Sequence, residues 1–309
     1  MRPLAVVGNV NVDLVMGPFE PWPAPGREVM AETDAVRPGG AAGNVALAWQ
    51  ALGVPHQIAA NVGDDLFGSY LREAFPDAAG RWATAPTATT LSVGITHPDG
   101  ERTFFTTRGH LGALTLPQVT AMLDTSALRG GLLLVCGSFL MPALAADYDA
   151  LFDWAARHAI DVALDTGWPP DGWSEEIVAE TRRWLSHCRH VLLNEAEVMA
   201  LTGRGNGLEA AEALADLLPE GGTIVVKRGP AGAAAVTADG LSAEVPAKRV
   251  RVIDTIGAGD VFNAGYLLGI ASGKSLQEAL QLGVDMAAVA ISTEPRLYIP
   301  TVAQAEKSA

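Results

Sequence analysis

The segment Asp254-Thr255-Ile256-Gly257-Ala258-Gly259-Asp260 precedes a mostly apolar run over residues 261–269. Small residues, then an acid, then an apolar run are typical of a loop that turns into the start of a buried helix. Gly257 and Gly259 can adopt backbone angles that other residues avoid, and they let a ligand approach the chain. Amides at a helix start bind anions such as phosphates. Asp260 then has two open interpretations: a helix N-cap, or a base beside a bound anion.

The composition narrows the class of protein. The chain has 309 residues, 49% of them hydrophobic, which suits one large α/β domain. Its formal net charge of −14 argues against a nucleic-acid partner, because phosphate backbones require clustered Lys and Arg. No apolar window reaches the roughly 18 residues of a membrane span, and the apolar stretch near Met1 is too short for a signal peptide. We predict a cytoplasmic protein that binds neither nucleic acid nor membrane.

Strand-like apolar runs alternate with helical segments along much of the chain. The predicted strands are 4–8, 55–62, 132–136, 160–164, 190–193 and 223–227. The predicted helices are 45–52, 66–75, 143–158, 174–185, 208–218, the segment after Asp260, and 276–291. This alternation predicts an α/β fold, in which helices cover both faces of a parallel sheet. Residues 233–237 and 241–245, around Asp239-Gly240, predict a hairpin.

A second set of strands lies early in the chain. Residues 89–97 and 102–107 flank Pro98-Asp99-Gly100, which predicts a β-hairpin with Asp-Gly in the turn. Segment 17–38 is rich in proline, and we predict irregular structure there. Lid strands from about 10–36 and 89–107 predict a small β sheet over the ligand edge of the parallel sheet. No internal repeat or linker divides the chain, so we expect residues 1–309 to form a single domain.

Polar side chains follow the predicted strands, and parallel α/β sheets bind ligands beyond the carboxyl ends of their strands. These side chains are Asn11, Asp13, Asp165, Asn194, Glu197, Lys227 and Asp260. Two Gly-rich helix starts, 39–43 and 257–259, would face the same crevice. The first strand is not followed by Gly-x-Gly-x-x-Gly, and no Gly-x-x-x-x-Gly-Lys-Ser/Thr loop occurs, so a dinucleotide site and a P-loop are not expected.

Two segments resemble the ribokinase family, also called PfkB carbohydrate kinases. One is Gly39-Gly40-Ala41-Ala42-Gly43-Asn44-Val45-Ala46, and the other is the segment 254–260 with the apolar run that follows it. The family's Asn-x-Asp appears as Asn11 and Asp13, its Asn-x-x-Glu as Asn194 and Glu197, and its nucleotide turn as residues 227–233. These matches occur in the family's order and span nearly the whole chain.

The resemblance implies a ribokinase-like fold that transfers the γ-phosphoryl group of ATP to a hydroxyl, usually a hydroxymethyl, of a sugar or sugar derivative. Asp260 would be the base, and the amides of Gly257, Ala258 and Gly259 would hold the phosphoryl charge as it develops. The implied substrate-binding residues are Asn11, Asp13, Gly39, Gly40 and Asn44. Asn11 and Asp13 have an alternative role as turn-forming residues. Many relatives are homodimers through the lid, and we expect the same here.

The resemblance also implies residues for nucleotide and cations. Those that would border ATP are Asn194, Lys227, Gly229, Gly232 and Asn263. Glu197 would hold Mg²⁺ through water, since Mg²⁺ keeps much of its hydration, although it could instead be a surface helix residue. Asp254 and Thr255 resemble a loop that binds a monovalent cation such as K⁺. The matching C-terminal segment, 294–300, lacks the family's usual Gly-Ala, which puts activation by K⁺ in doubt.

The substrate itself is less defined. Asp165 follows a predicted strand and is a further candidate for binding the substrate, but the Asn and Arg that accompany it in many sugar kinases of the family are absent here. Arg108 resembles an arginine that faces the substrate in some sugar-acid kinases, where it could bind a carboxylate; it could equally be a surface charge. A nucleoside kinase on the same scaffold is an alternative, and so is a non-catalytic protein that binds sugars or nucleotides.

Overall fold

The structure is a computed structural model that describes residues 1–98 and 102–299. Its strands are β1 Leu4–Gly8, β2 Asn11–Gly17, β3 Thr33–Gly39, β4 His56–Ala59, β5 Asn61–Gly63, β6 Ala83–Ala85, β7 Leu91–Thr96, β8 Arg102–Thr106, β9 Leu132–Cys136, β10 Asp161–Asp165, β11 His190–Asn194, β12 Thr223–Lys227, β13 Ala233–Thr237 and β14 Gly240–Val245. Its α-helices are α1 Ala41–Ala51, α2 Leu66–Ala74, α3 Leu116–Met122, α4 Thr125–Leu128, α5 Pro142–Ala145, α6 Tyr148–Arg157, α7 Glu175–Leu185, α8 Glu195–Thr202, α9 Gly207–Ala215, α10 Ala258–Ala271 and α11 Leu276–Ser292.

The main sheet confirms the predicted α/β class. Within the described residues its strand order is β14-β13-β12-β11-β10-β9-β1-β4. The six strands from β12 to β4 in this order are parallel, whereas the β13–β14 hairpin joins the edge in antiparallel orientation, so the sheet is mixed. Every residue of β1 and β9 is buried. Because successive side chains of a strand point to opposite faces, both faces of the sheet are covered.

Two predicted elements are divided in the structure. The strand predicted over 55–62 is interrupted at Ala60, and its two halves, β4 and β5, pair in different sheets. The helix predicted over 143–158 consists of the short α5 and the longer α6, with Ala146 and Asp147 between them. An apolar run shows that a segment is buried, but it does not show where the backbone changes direction.

The predicted small sheet is present, with the order β3-β2-β7-β8. The prediction of irregular structure over 17–38 was wrong from Thr33 onward, because β3 pairs antiparallel with the whole of β2. Pro38 is compatible with this strand because β3 lies at the edge of the sheet, where a missing N–H group is tolerated. The turn predicted at Asp99-Gly100 lies outside the described residues.

Helix α10 begins within the segment 254–260 and packs into the core. It packs between α1 and α11 and contacts β1. The indole Nε1 of Trp49 on α1 donates a hydrogen bond to the carbonyl of Ala264 at 2.9 Å. Gly265 allows a close approach to α11, since a Cβ atom there would lie 2.9 Å from the Cα of Gly283. The position of α10 therefore depends on small residues as well as on apolar burial.

None of the helices in the described ranges is both long and apolar enough to cross a membrane.

We expect Gly265→Ala to lower the free energy of unfolding by about 1–3 kcal/mol, the usual cost of overpacking a core. The added methyl group would meet the backbone of α11, which cannot move aside as a flexible side chain could. Urea denaturation followed by circular dichroism measures the effect. Gly43→Ala is the matched control, because a Cβ there would lie 3.6 Å from Val10, an ordinary contact. Equal stability of the two variants would contradict this account of the packing.

Candidate active site

The start of α10 has the geometry of an anion site. Gly257 is the N-cap residue, with a positive φ of 72° that favours glycine. A Cβ atom there would lie 2.6 Å from the side-chain nitrogen of Asn44, so the position also has no room for a side chain. Within the described part of the chain, the backbone amides of Gly257 and Gly259 have no hydrogen-bond acceptor. Ala258 differs from the prediction, because its amide already donates to the carbonyl of Thr255 at 3.1 Å.

Asp260 is the third residue of α10, and Gly257 holds the N-cap position, so the capping interpretation of Asp260 is not supported. Asn44 on α1 donates its side-chain amide to Oδ2 of Asp260 at 2.8 Å. Burial raises the pKa of Asp260 to about 7, and the negative charge of Asp165 adds to this, while Asn44 and Lys227 act in the opposite direction. A carboxyl group with a pKa near the working pH suits proton transfer.

Asn11 and Asp13 are buried on β2 and belong to a chain of hydrogen bonds. Asn9 donates to Oδ1 of Asn11 at 3.0 Å, and Asn11 donates to Oδ1 of Asp13 at 2.8 Å. Burial raises the pKa of Asp13 to about 6, against the lowering effects of Arg37 and Asn11. Oδ1 of Asp13 already accepts from Asn11. Oδ2 of Asp13 is therefore the atom suited to accept from a ligand hydroxyl.

The two glycines predicted for the substrate site provide space for these side chains. A Cβ atom on Gly39 would lie 2.1 Å from Oδ2 of Asp13, and one on Gly40 would lie 2.6 Å from Oδ1 of Asn11. Gly40 is also the N-cap of α1, the helix that carries Asn44. The structure therefore brings together the predicted group of Asn11, Asp13, Gly39, Gly40, Asn44 and Asp260.

Lys227 lies among carboxylates at the carboxyl edge of the sheet. Its Nζ is 2.6 Å from Oδ2 of Asp165, so the side chain reaches past β11, which separates their strands. Asn263 on α10 also donates to Asp165. Burial alone would lower the pKa of Lys227, but Asp165 and Glu197 raise it above its ordinary value. The lysine therefore stays charged and offsets the carboxylates around it.

Asn194 and Glu197 form a capping box at the start of α8. The Asn194 side chain accepts from the Glu197 amide at 2.9 Å, and Glu197 accepts from the Asn194 amide at 2.8 Å. Glu197 is buried, so its alternative interpretation as a surface helix residue was wrong. Burial and the nearby charge of Asp165 raise its pKa to about 7, against Lys227. The cap accounts for one oxygen of Glu197 and leaves the other for a further partner.

A cavity of about 580 Å³ adjoins the start of α10. The predicted residues that line it include Lys227, Gly229, Gly232 and Gly259. Two other residues predicted to border the nucleotide do not line it: Asn194 caps α8, and Asn263 is fully buried with its side chain turned to Asp165. Much of the remaining lining is apolar and was not predicted, namely Val250, Val252, Phe262, Val284, Ala287, Ala288 and Ile291.

Arginine side chains bind Asp254 and Thr255. Oδ2 of Asp254 lies 2.7 Å from both Arg37 and Arg296, and Arg102 donates to the hydroxyl of Thr255. Burial acts to raise the pKa of Asp254, but the Ile256 amide and the arginines hold it below its ordinary value. The residues predicted to bind a monovalent cation therefore do not fit one, because side-chain cations already hold them.

Arg108 is exposed, and its backbone carbonyl accepts a hydrogen bond from the hydroxyl of Thr90 at 3.1 Å; its side chain has no hydrogen-bond partner among the described residues. Its predicted contact with a substrate stays a prediction.

Sequence reasoning missed Asn9, although Asn9, Asn11 and Asp13 alternate along the chain as side chains on one face of a strand do. It also missed Arg37, Arg102 and Arg296, which are far apart in sequence and carried no local signal.

The sequence matches the profile of the pfkB family carbohydrate kinases over residues 1–295. The chain belongs to this family. Membership confirms the resemblance seen in the motifs and the predicted class of enzyme, a phosphotransferase with an alcohol group as acceptor.

Similar proteins include several kinases of the pfkB type. A ribokinase of Schizosaccharomyces pombe is 26% identical over 304 residues, covering 93% of this chain and 91% of that protein. An aminoimidazole riboside kinase of Salmonella typhimurium is 28% identical over 293 residues, covering 91% and 84%. The solved structure of Arabidopsis thaliana ribokinase complexed with ribose and ATP has a TM-score of 0.74 at 22% identity, covering 94% and 92%. This likeness confirms the ribokinase-like fold.

We expect Lys227→Met to lower the free energy of unfolding by about 3–5 kcal/mol at neutral pH, because it leaves the buried carboxylate of Asp165 without its cation. Methionine keeps a similar apolar stem, so the change tests the charge. Lys248→Met is the matched control, since Lys248 pairs with Asp285 at the surface and should contribute about 0–1 kcal/mol. Urea denaturation measures both variants. Similar losses would show that Lys227 does not hold the carboxylates together.

Proposed function

We propose that this protein transfers the γ-phosphoryl group of ATP to a hydroxyl, most simply a hydroxymethyl, of a sugar or sugar derivative. One observation carries the proposal. The carboxylate of Asp260 lies in the first turn of a helix whose Gly257 and Gly259 amides have no acceptor among the described residues. A base and an anion site are therefore adjacent, which phosphoryl transfer to a hydroxyl requires.

The substrate would bind on the side of Asp260 that faces the small sheet. Asn11 and Asp13 offer an amide and a carboxylate, which suit the donor and acceptor capacity of sugar hydroxyls. Gly39 and Gly40 leave room for the side chains of Asp13 and Asn11, and Asn44 lies between this pocket and Asp260. Asp165 lies deeper and forms an ion pair with Lys227. We propose that it balances the charge of Lys227 in addition to making the predicted substrate contact.

The nucleotide would occupy the cavity on the other side of the α10 start. Its volume falls in the usual range for small-molecule sites, and its apolar walls suit a purine base. The Gly229 and Gly232 turn forms one border, and Lys227 with Gly259 forms the end nearest Asp260. The γ-phosphoryl group would then lie at the helix start. The solved structure of Arabidopsis thaliana ribokinase is of a complex with ribose and ATP, which supports the binding of a sugar and of ATP by one protein of this fold.

The reaction would proceed at the junction of the two pockets. Asp260 accepts the proton of the substrate hydroxyl as the oxygen forms a bond to the γ-phosphorus. The bond between that phosphorus and the β–γ bridging oxygen breaks, and ADP leaves with the bond's electron pair. Asn44 holds the carboxylate of Asp260 in position, and the Gly257 and Gly259 amides donate to the phosphoryl oxygens. The acquired proton stays on Asp260 until the product leaves.

The family implies Mg²⁺, and the residues present fit a hydrated ion. Carboxylate oxygens are ligands that Mg²⁺ prefers, and one oxygen of Glu197 lies outside the capping box. No cluster of three metal-ligating side chains occurs in the described ranges, which favours contact through water. When bound, Mg²⁺ would neutralise phosphate charge. Glu197 would hold it through water, and the positive charge of Lys227 would attract the phosphates.

A nucleoside kinase remains the second candidate, since the aminoimidazole riboside kinase of Salmonella typhimurium is as similar as the ribokinase relative. A ribose ring attached to a base would present the same hydroxymethyl group to Asp260. A non-catalytic binding protein is the third, and it would lack turnover altogether. A homodimer through the face of the small sheet that carries the exposed side chains of Val36 and Phe105, and a cytoplasmic location, stay predictions.

A coupled assay of ADP release over ketoses, aldoses, sugar acids and nucleosides tests the proposed function. With the best substrate, we expect Asp260→Asn to lower kcat by about 10²–10⁴-fold, because asparagine cannot accept the proton. Affinity for an ATP analogue should change little, since Asp260 contacts Asn44 and not the nucleotide cavity. Near-normal turnover of the variant would exclude Asp260 as the base. Absence of turnover in the unaltered protein would favour the non-catalytic alternative.

The pH dependence of kcat/KM is a separate prediction. Asp260 must be ionised to accept a proton, and its pKa is raised to about 7, so kcat/KM should fall as the pH decreases through that value. Asn44→Ala removes a hydrogen bond that lowers this pKa, so its acid limb should move to higher pH. Profiles are measured at constant ionic strength with a substrate that does not titrate in the range. A profile flat around neutral pH would rule out this ionisation.

A further inference from the structure

Asp254 forms an ion cluster where the small sheet meets the loop before α10. Arg37 comes from β3, Arg102 from β8, and Arg296 from the segment after α11. Arg37 and Arg296 each lie 2.7 Å from Oδ2 of Asp254, and Arg102 lies 3.7 Å from Oδ1. These side chains are largely buried, and that of Arg296 is only 12% exposed. The loop 254–257 is thus held by side-chain charges from three separate parts of the chain.

The carboxylate of Asp254 already accepts from three donors, which leaves little capacity to coordinate a free cation. Oδ2 accepts from two guanidinium groups, and Oδ1 accepts from the Ile256 amide at 2.8 Å. Within the described residues, Nη2 of Arg37 and Nε of Arg102 are buried and have no hydrogen-bond acceptor, so positive charge already exceeds the acceptors present. A monovalent cation here would have to displace a guanidinium and remain close to the others, which like-charge repulsion opposes.

Arg296 also reaches the N-cap of α10. Its Nη1 would lie 3.2 Å from a Cβ atom on Gly257, so the guanidinium packs directly against the residue whose amide faces the anion site. The segment that carries it is fixed by the amide of Leu297, which donates to the hydroxyl of Thr293 at 2.9 Å. A positive charge fixed at this point adds to the positive end of the helix dipole.

We propose that Arg296 is a built-in cation of the loop 254–257: a positioning residue that makes the protein independent of added monovalent cations. Its guanidinium binds Asp254 on one side and supports the Gly257 turn on the other, so that the Gly257 and Gly259 amides stay directed at the anion site. The guanidinium is part of the chain and cannot dissociate. The effect on turnover rests on the proposed kinase function, whereas the effect on the folded state does not.

The test compares the unaltered protein with Arg296→Ala and Arg296→Lys, and with Arg129→Ala as the control for loss of an exposed arginine. Thermal midpoints and kinase turnover are measured in potassium chloride and in tetramethylammonium chloride at equal ionic strength. We expect the unaltered protein to behave identically in the two salts. Arg296→Ala should lower the thermal midpoint and reduce turnover by about ten- to a hundredfold, as loss of a supporting contact to a charged site does.

Chemical rescue separates this role from general damage to the fold. Low-millimolar guanidinium chloride should raise both the midpoint and the turnover of Arg296→Ala, and should not do so for Arg129→Ala. Arg296→Lys should keep part of the turnover, since it retains the charge without the planar fork. Activation or stabilisation of the unaltered protein by potassium would overturn the proposal, as would an Arg296→Ala variant equal to the unaltered protein.

Failure of the built-in cation and failure of the proposed kinase function would give different results. If Arg296→Ala does not fold, the salt comparison on the unaltered protein and the Arg296→Lys variant still decide the proposal. If no substrate is phosphorylated, the proposed function fails, but the salt dependence of the thermal midpoint and its rescue by guanidinium still test the built-in cation.

Discussion

The buried ion pair between Lys227 and Asp165 is the interaction on which the site depends. Burial and the negative charge of Asp165 raise the pKa of both Glu197 and Asp260, which disfavours their ionised forms. The lysine bonds directly to Asp165 and lowers the pKa of the other two. It leaves Asp260 with a pKa near neutrality, which is the property that a general base needs.

Two packed units meet at this pair. The main sheet supplies Asp165 and Lys227 at its carboxyl edge, and α10 supplies Asp260 and Asn263. The direction of α10 is set by its close contacts with α1 and α11, where Gly265 and Ala264 allow helices to approach. The small sheet adds Asp13 and two arginines that hold the loop before α10. The proposed substrate pocket, the proposed base and the cavity proposed for the nucleotide are therefore positioned by different layers of the fold, and they meet where the loop 254–257 turns.

Much of this could be predicted because its signals are local. A glycine that needs a positive φ, as Gly257 does, is visible in sequence, and so is the alternation of strands and helices. The motif residues Asn11, Asp13, Gly39, Gly40 and Asn44 did converge with Asp260. Other features could not be predicted, for physical reasons. Asn263 follows the motif, but its place on the buried side of α10 turns it toward Asp165. The pattern of apolar residues did not reveal β3, because an edge strand is half exposed and tolerates Pro38.

The amino-acid sequence alone was enough to specify the class of fold and the family of kinases, and to single out Asp260 as the candidate base. These depend on short-range properties: the period of apolar residues, the conformational freedom of glycine, and the spacing of polar groups along one segment. The charge of the site, in contrast, emerged only when the chain was folded. The pKa of Asp260 depends on Asp165, Lys227 and Asn44, and the binding of Asp254 depends on Arg37, Arg102 and Arg296. Electrostatic energies depend on distance in space and on exclusion of water, and neither quantity can be read from positions separated by tens to hundreds of residues along the chain.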